Sequence, residues 1–303
     1  MLLMEILDGM DPHQLRTFVT VARLASFSDA ARELGYTQSA VSQQIAALEG
    51  DVGAALLERR PVRATAAGER LLEHAGPLLL RLDAARADVR RLAGATGGRV
   101  VLGAAGVTVT ARVAGALAAV RERYPRAEVT ITQVARAEVA ARVATGAVDV
   151  GLVDGVAAPS DPLALGDAGP LRTVAVAEEP LAVLMPVGHP LARRAGLALA
   201  DLADARWLDA PDVAMELDRL RAAAGAGAGF RAAARYEGGE VRGLLALVAA
   251  GHGLALVPLP AAGGDGIAAV PLRTPRLVHR TELVHGALPE GPVALLVETL
   301  TGR

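Results

Sequence analysis

Residues 27–49 read Phe-Ser-Asp-Ala-Ala-Arg-Glu-Leu-Gly-Tyr-Thr-Gln-Ser-Ala-Val-Ser-Gln-Gln-Ile-Ala-Ala-Leu-Glu. They carry two short helical patterns with a glycine between them. Ser28 or Asp29 can cap the first, whose small inward face is Ala30, Ala31 and Leu34. Gly35 and Tyr36 make the break. Thr37 then offers a side-chain oxygen to the free amides of a second helix, a position Thr fills well. In that helix Val41, Ile45 and Leu48 recur at helical spacing and face a core. Gln38, Ser39, Ser42, Gln43 and Gln44 are left on the exposed face.

The groups on that face are short, polar and uncharged. Gln bonds adenine edges through two atoms, and Ser bonds bases or phosphate oxygens. A helix with such groups at its N-terminal end is what a helix-turn-helix protein lays in the major groove of DNA. A polar helix face is more often simply hydrated. Here the helix length, the turn and the cap coincide, and together they favour a nucleic-acid-reading face.

These residues resemble the LysR-type transcriptional regulators. The matching pieces are Leu15-Arg16-Thr17-Phe18, Ser26-Phe27-Ser28, Ala30-Ala31, Leu34 and Thr37-Gln38-Ser39-Ala40-Val41-Ser42. Ile45, Leu48-Glu49, Leu56-Leu57-Glu58-Arg59-Arg60 and Thr65-Ala66-Ala67-Gly68 follow in the same order. The resemblance extends along the chain, with its specific motifs in residues 12–70. It implies a winged helix-turn-helix over residues 1–65, a dimerisation helix and hinge over 66–97, and an effector-binding domain over 98–303. It implies double-stranded promoter DNA and a small-molecule effector as partners, with a homodimer or tetramer as the working form. RNA polymerase is a further candidate partner.

By the same resemblance, residues 56–65 form the wing. The segment is about two residues shorter than the family pattern between Arg60 and Thr65, and Leu57 stands where Phe is usual. Base reading falls to Gln38, Ser39, Ser42 and Gln43, and phosphate contacts to Thr37, Arg59, Arg60 and Arg63. Gln43 occupies a position where the family often has Arg, which shifts its preferred base towards adenine.

Charge constrains this reading. The chain of 303 residues has a formal net charge of −2. Residues 1–98 contain 11 Arg against 12 Asp and Glu, so the proposed DNA-binding half is not basic overall. Phosphate neutralisation normally supplies much of the binding energy. Affinity must then come from locally placed Arg and from dimerisation.

The segment that follows supplies a route to dimers. Leu71, Ala75, Leu78, Leu82, Ala85, Val89 and Leu92 are spaced alternately four and three apart, a heptad seam that wants a partner helix. Pro77 removes an amide donor inside this segment and predicts a kink. Gly94, Gly97 and Gly98 read as a hinge.

Beyond residue 98, apolar strand patterns alternate with helical ones. Strands are expected at 100–104, 129–132, 148–153, 181–185 and 254–257, and near Val174, Trp207, Ala234, Val270 and Leu283. Helices are expected at 109–123, 139–145, 213–223, 241–250 and 293–300. Such alternation implies α/β architecture with largely parallel sheets. By resemblance it forms two subdomains like those of periplasmic binding proteins, 98–171 plus 274–303 and 172–273. Ligands of α/β sheets bind beyond the carboxyl ends of strands. This places the effector at Ala105, Gly106, Val107, Thr108, Gln133, Asp154, Asp209, Ala210, Pro211, Glu237, Gly238 and Pro258. Family members often carry Ser or Thr directly after the first strand, where it helps bind anionic effectors. Here the first hydroxyl is Thr108.

Other chemistry finds little support. There is no Cys, which excludes thiolate catalysis and Cys-ligated metal and fits a reducing cytoplasm. The glycines of 225–229 lack the spacing of a dinucleotide loop. His279 and His285 share a strand face without a third ligand. Asp209 and Asp212 flank a loop proline, and no Ser sits in a nucleophile-elbow setting. No cofactor, metal or enzyme activity is expected. The N-terminus lacks the basic region of a signal peptide, and Met10-Asp11-Pro12 begins like a family member's own start. The apolar run 244–257 is too short for a membrane span and is broken by Gly251, His252 and Gly253. The reading from another class is a solute-binding or enzymatic α/β protein whose N-terminal helices serve only oligomerisation.

Overall fold

The computed structural model describes residues 10–93, 98–166, 169–224, 229–287 and 290–302. Gly94 and Gly97 of the expected hinge and residues 1–9 lie outside them, as does most of the glycine run at 225–229. The chain falls into two compact units, Met1–Arg86 and Ala87–Arg303.

In the first unit, α1 (Pro12–Leu24), α2 (Phe27–Leu34) and α3 (Gln38–Val52) enclose one apolar core. Each helix opens on a side-chain cap. Asp11 accepts from the amide of His13, Ser26 from that of Asp29, and Thr37 from that of Ala40. The cap of α2 is therefore Ser26, and not Ser28 or Asp29. Ser26 alone has the extended backbone that lets its Oγ reach an amide three residues on. Gly35 ends α2 at φ 71°, a left-handed turn that a Cβ would disfavour. Phe18, Val21, Ala30, Val41, Ile45 and Leu48 are fully buried. Each large apolar side chain so buried contributes about 2 kcal/mol. Val19 and Ala22 are only half-buried, and Val21 takes the central place.

The wing is a two-stranded hairpin, β1 (Leu57–Arg59) against β2 (Val62–Ala64), turned by Arg60-Pro61. Leu57 is buried in the helical core. The helix α4 (Ala66–Ala93) follows and continues through Pro77.

The second unit contains β3 (Arg99–Ala104), α5 (Ala111–Arg123), β4 (Glu128–Gln133), α6 (Val139–Ala144) and β5 (Val150–Ala157). After these comes β6 (Arg172–Pro186), a single strand of 15 residues where two shorter ones were expected. Next are β7 (Leu197–Ala198), β8 (Arg206–Asp209), α7 (Leu217–Ala224), β9 (Arg231–Arg235), α8 (Val241–Ala249) and β10 (Ala255–Pro258). The last elements are β11 (Ile267–Thr274), β12 (Val278–His285) and α9 (Pro292–Thr301). Helix α7 starts at Leu217 rather than near Val213, because the amide of Leu217 is bonded to the Asp209 carboxylate behind it.

The main sheet runs β4-β3-β5-β12-β6-β11-β7, with β10 also on β6. It is mixed and not largely parallel. β3 is parallel to β4 and β5, whereas β12 is antiparallel to both β5 and β6. Residues 172–180 of β6 pair with β12, and residues 181–186 pair with β10 and β11. One strand thus serves two halves, and the crossover lies near Pro180 rather than Leu171. In the first half, α5 and α9 cover one face through Val100, Leu102 and Leu283, and α6 covers the other through Val101, Val153 and Val284. In the second half, Trp207 packs edge-on against Phe230 with ring centres 5.5 Å apart.

Candidate nucleic-acid interface and ligand cavity

The first two turns of α3 present Gln38, Ser39 and Gln43 to solvent. Ser42 is half-buried behind them. Gln44 does not belong to this face, because its Oε1 accepts from the Thr17 hydroxyl and ties α3 to α1. Gln38 is steadied by Ser28 Oγ at 3.2 Å, and Thr37 Oγ1 lies 3.0 Å from Ser39 Oγ. Most of the short polar groups named from the sequence therefore share one exposed end of one helix.

The wing is fixed beside this face by Glu49 at the end of α3. Its Oε1 accepts from the amides of Leu56, at 2.8 Å, and Leu57, at 3.2 Å. Two donors that would otherwise be orphaned at a strand start are satisfied from the reading helix itself. The three wing arginines are not equivalent. Arg59 stacks over Phe27, 5.2 Å from the ring centre, and Arg60 projects at the exposed turn. Arg63 is paired across the hairpin with Glu58 at 2.5 Å, a partner sequence reading did not assign it. That carboxylate holds the guanidinium pKa above its ordinary value, chiefly through the hydrogen bond.

Along α4 the heptad positions divide. Leu71 and Ala75 pack into the core of the first unit, with Leu72 and Leu79 from between the seam positions. Leu78, Leu82, Ala85 and Val89 remain exposed. The seam is thus consumed at its start by the helix's own domain.

A cavity of about 480 Å³ lies in the second unit, between the ends of β5 and β10 and the segment before α7. Leu163, Leu165, Leu181, Val213, Met215 and Leu256 give it an apolar body. At one end sits Asp154, fully shielded from solvent. Arg136 donates to it through Nε at 2.6 Å and Nη2 at 3.1 Å. His279 Nε2 lies 2.9 Å away, and the amide of Val107 donates at 3.3 Å. Arg136 Nη1 also reaches across to the Pro211 carbonyl, linking the two halves of the unit. Burial pushes the Asp154 pKa up, but hydrogen bonds from His279 and Arg136 and their charge outweigh it and hold the pKa at about 2. Burial likewise pushes His279 down. Its contacts with Asp154 and with Glu179, whose carboxylate is 3.5 Å from Nδ1, raise it overall above the ordinary value.

Of the residues assigned to the ligand from sequence, Asp154, Pro211 and Pro258 line this cavity. The others do not. Asp209, the last residue of β8 rather than a loop residue, caps α7 and pairs with Arg235 at 2.6 Å, a structural task. Ala210 lies in the core. Ala105, Gly106, Val107 and the buried Thr108 form the turn behind Asp154. The side-chain amide of Gln133 sits against Gly239, beside Glu237 and Gly238, at a separate contact between the halves. Sequence reasoning missed Arg136, His279, Leu163 and Met215. Arg136 lies three residues after the end of β4, the second strand expected beyond residue 98, and was the one available signal. His279 appeared only as half of an incomplete metal pair. His285, its fellow, bonds the Gly286 carbonyl at 2.7 Å.

Comparison with known proteins follows this geometry. Residues 12–69 match the bacterial regulatory helix-turn-helix of the lysR family, and residues 93–297 match the LysR substrate binding domain. The chain is similar to the uncharacterised regulator YnfL of Escherichia coli, 33% identical over 198 residues, spanning 64% of this chain and 64% of that one. It is 30% identical to the transcriptional regulator ShiR of Corynebacterium glutamicum over 283 residues, 91% and 92% of the two chains. In fold it resembles full-length CbnR solved with its target DNA, at a TM-score of 0.54 and 24% identity over 96% and 99% of the chains. With a capped reading helix and wing matching one family model and a two-halved ligand domain matching the other, the chain belongs to the LysR family of transcriptional regulators.

Proposed function

We propose that this chain binds double-stranded promoter DNA as a dimer and that a small molecule in the cavity beside Asp154 adjusts the binding. Residues 1–65 carry the DNA contacts, 66–97 the dimer contact and 98–303 the effector. The observation that supports this most is the exposed Thr37-capped end of α3, with Gln38, Ser39 and Gln43 beside a wing held by Glu49. Gln38, Ser39, Ser42 and Gln43 read bases, and Thr37, Arg59 and Arg60 hold phosphates. An effector shifts the equilibrium only by its differential affinity for the two arrangements of the ligand domain. The exposed positions Leu78, Leu82, Ala85 and Val89 of α4 supply the dimer seam, and dimers pair further into tetramers. Among the described residues no helix is long and apolar enough to cross a membrane, in keeping with work on DNA in the cytoplasm, where RNA polymerase is the partner downstream.

The test is a gel shift with the gene's own upstream region. Retardation by the native chain, lost in a Ser42→Ala plus Gln43→Ala variant that remains folded, supports the reading. Equal retardation by both variants would remove α3 from base reading. The absence of any retardation at low salt would favour a solute-binding protein with N-terminal helices used for assembly alone.

A further inference from the structure

The closed end of the cavity has a ready-made seat for an anion, and the chain fills it itself. Arg136 offers two nitrogens, His279 offers Nε2 and Val107 offers its backbone amide, all to Asp154. The remaining nitrogen of Arg136 is taken by the Pro211 carbonyl. The neighbouring turn is shaped to admit this carboxylate. Gly106 has φ 53°, and a Cβ there would overlap both Asp154 oxygens. Any side chain at Gly106 would crowd Asp154, so the glycine leaves room for the buried carboxylate.

The rest of the cavity offers little to a second anion. Arg219 lies at the exposed rim, 3.8 Å from Glu216. Asp212, the other charged residue lining the space, is itself a carboxylate. A ligand carboxylate entering beside Asp154 would place like charges together in a desolvated site, which strongly disfavours the charged pair. We propose that Asp154 is a built-in counter-anion, so that this cavity takes an effector with an apolar body and no carboxylate or phosphate group. This rests on the cavity being the effector site.

Chemical rescue in the full-length chain tests it. Thermal unfolding is followed with sodium formate and with equal sodium chloride, for the native chain, Asp154→Ala and Asp154→Asn. The expected result is no difference between the salts for the native chain and a higher Tm in formate for Asp154→Ala. Formate should bind that variant about tenfold or more tightly than the native chain, the ratio one charge-assisted hydrogen bond supplies. A native chain that formate stabilises beyond chloride would overturn the proposal, as would a folded Asp154→Ala indifferent to formate. Where Asp154→Ala folds in neither salt, Asp154→Asn is judged by the same criterion. Where neither variant folds, hexanoate and hexanamide are compared on the native chain: a preference for hexanoate overturns the proposal, and its absence upholds it. The gel shift is run on the same native sample. Its failure would sink the regulator reading while leaving the result on the anion seat intact.

Discussion

Gly68, in the first turn of α4, lies against the carbonyl of Leu56 with no room for a Cβ between them. The Thr65 hydroxyl accepts from the amide of Gly68 at 3.1 Å and donates to the Ala55 carbonyl at 2.7 Å. The Thr-Ala-Ala-Gly motif is thereby a clamp that starts α4 on the base of the wing. Gly68→Ala should destabilise the first unit by about 1–3 kcal/mol, since overpacked backbone must move. It should also weaken DNA binding by displacing the wing. Urea unfolding and gel shift measure the two effects; an unchanged urea midpoint would mean that Gly68 does not limit the packing of α4 on the wing.

The wing arginines separate by their partners. Arg59→Ala should weaken binding across sequences and lower the salt slope of log K by about 1, the value for one lost phosphate contact. Arg63→Ala should change that slope little, because Glu58 already neutralises the guanidinium. Filter binding over a salt series checks both. A larger effect at Arg63 would mean that the pair opens on DNA.

The buried pair in the cavity sets an acid limit. Asp154 falls from 3.8 unfolded to about 2 folded, so its contribution of about 2 kcal/mol is present above pH 4 and lost as pH falls towards 2. Asp154→Asn should be less stable at neutral pH and show a flatter acid limb in urea midpoints.

His279 acts in the opposite sense. Its raised folded pKa means that its contribution is present below 6.5 and lost as pH rises through the folded value. His279→Gln should remove a decline in stability that the native chain shows as pH rises above about 6.5. An equal decline in both would exclude His279 as its source.

The exposed seam on α4 predicts assembly. Leu82→Arg plus Val89→Arg, both at exposed positions, should leave the first unit folded and yield monomers by light scattering, with DNA affinity reduced. Dimers persisting in this variant would place the interface elsewhere.

The sequence by itself determined the reading unit, because its signals are local. Thr37, Gly35 and the Val41-Ile45-Leu48 stripe act within a few residues of one another, so the cap of α3, the turn and the core face follow from spacing, while the cap of α2 fell on Ser26 rather than on Ser28 or Asp29. The family motifs and the α/β alternation were legible for the same reason. Tertiary structure decided what depends on distant partners. It turned Gln44 inward to Thr17, paired Arg63 with Glu58, made β6 one strand shared by two halves, and gave Asp209 to a helix start. Above all it brought Arg136, Asp154 and His279 together from three separate segments. Spacing cannot reveal such a meeting, because a buried charge is stable only where the fold delivers its counter-charges through space.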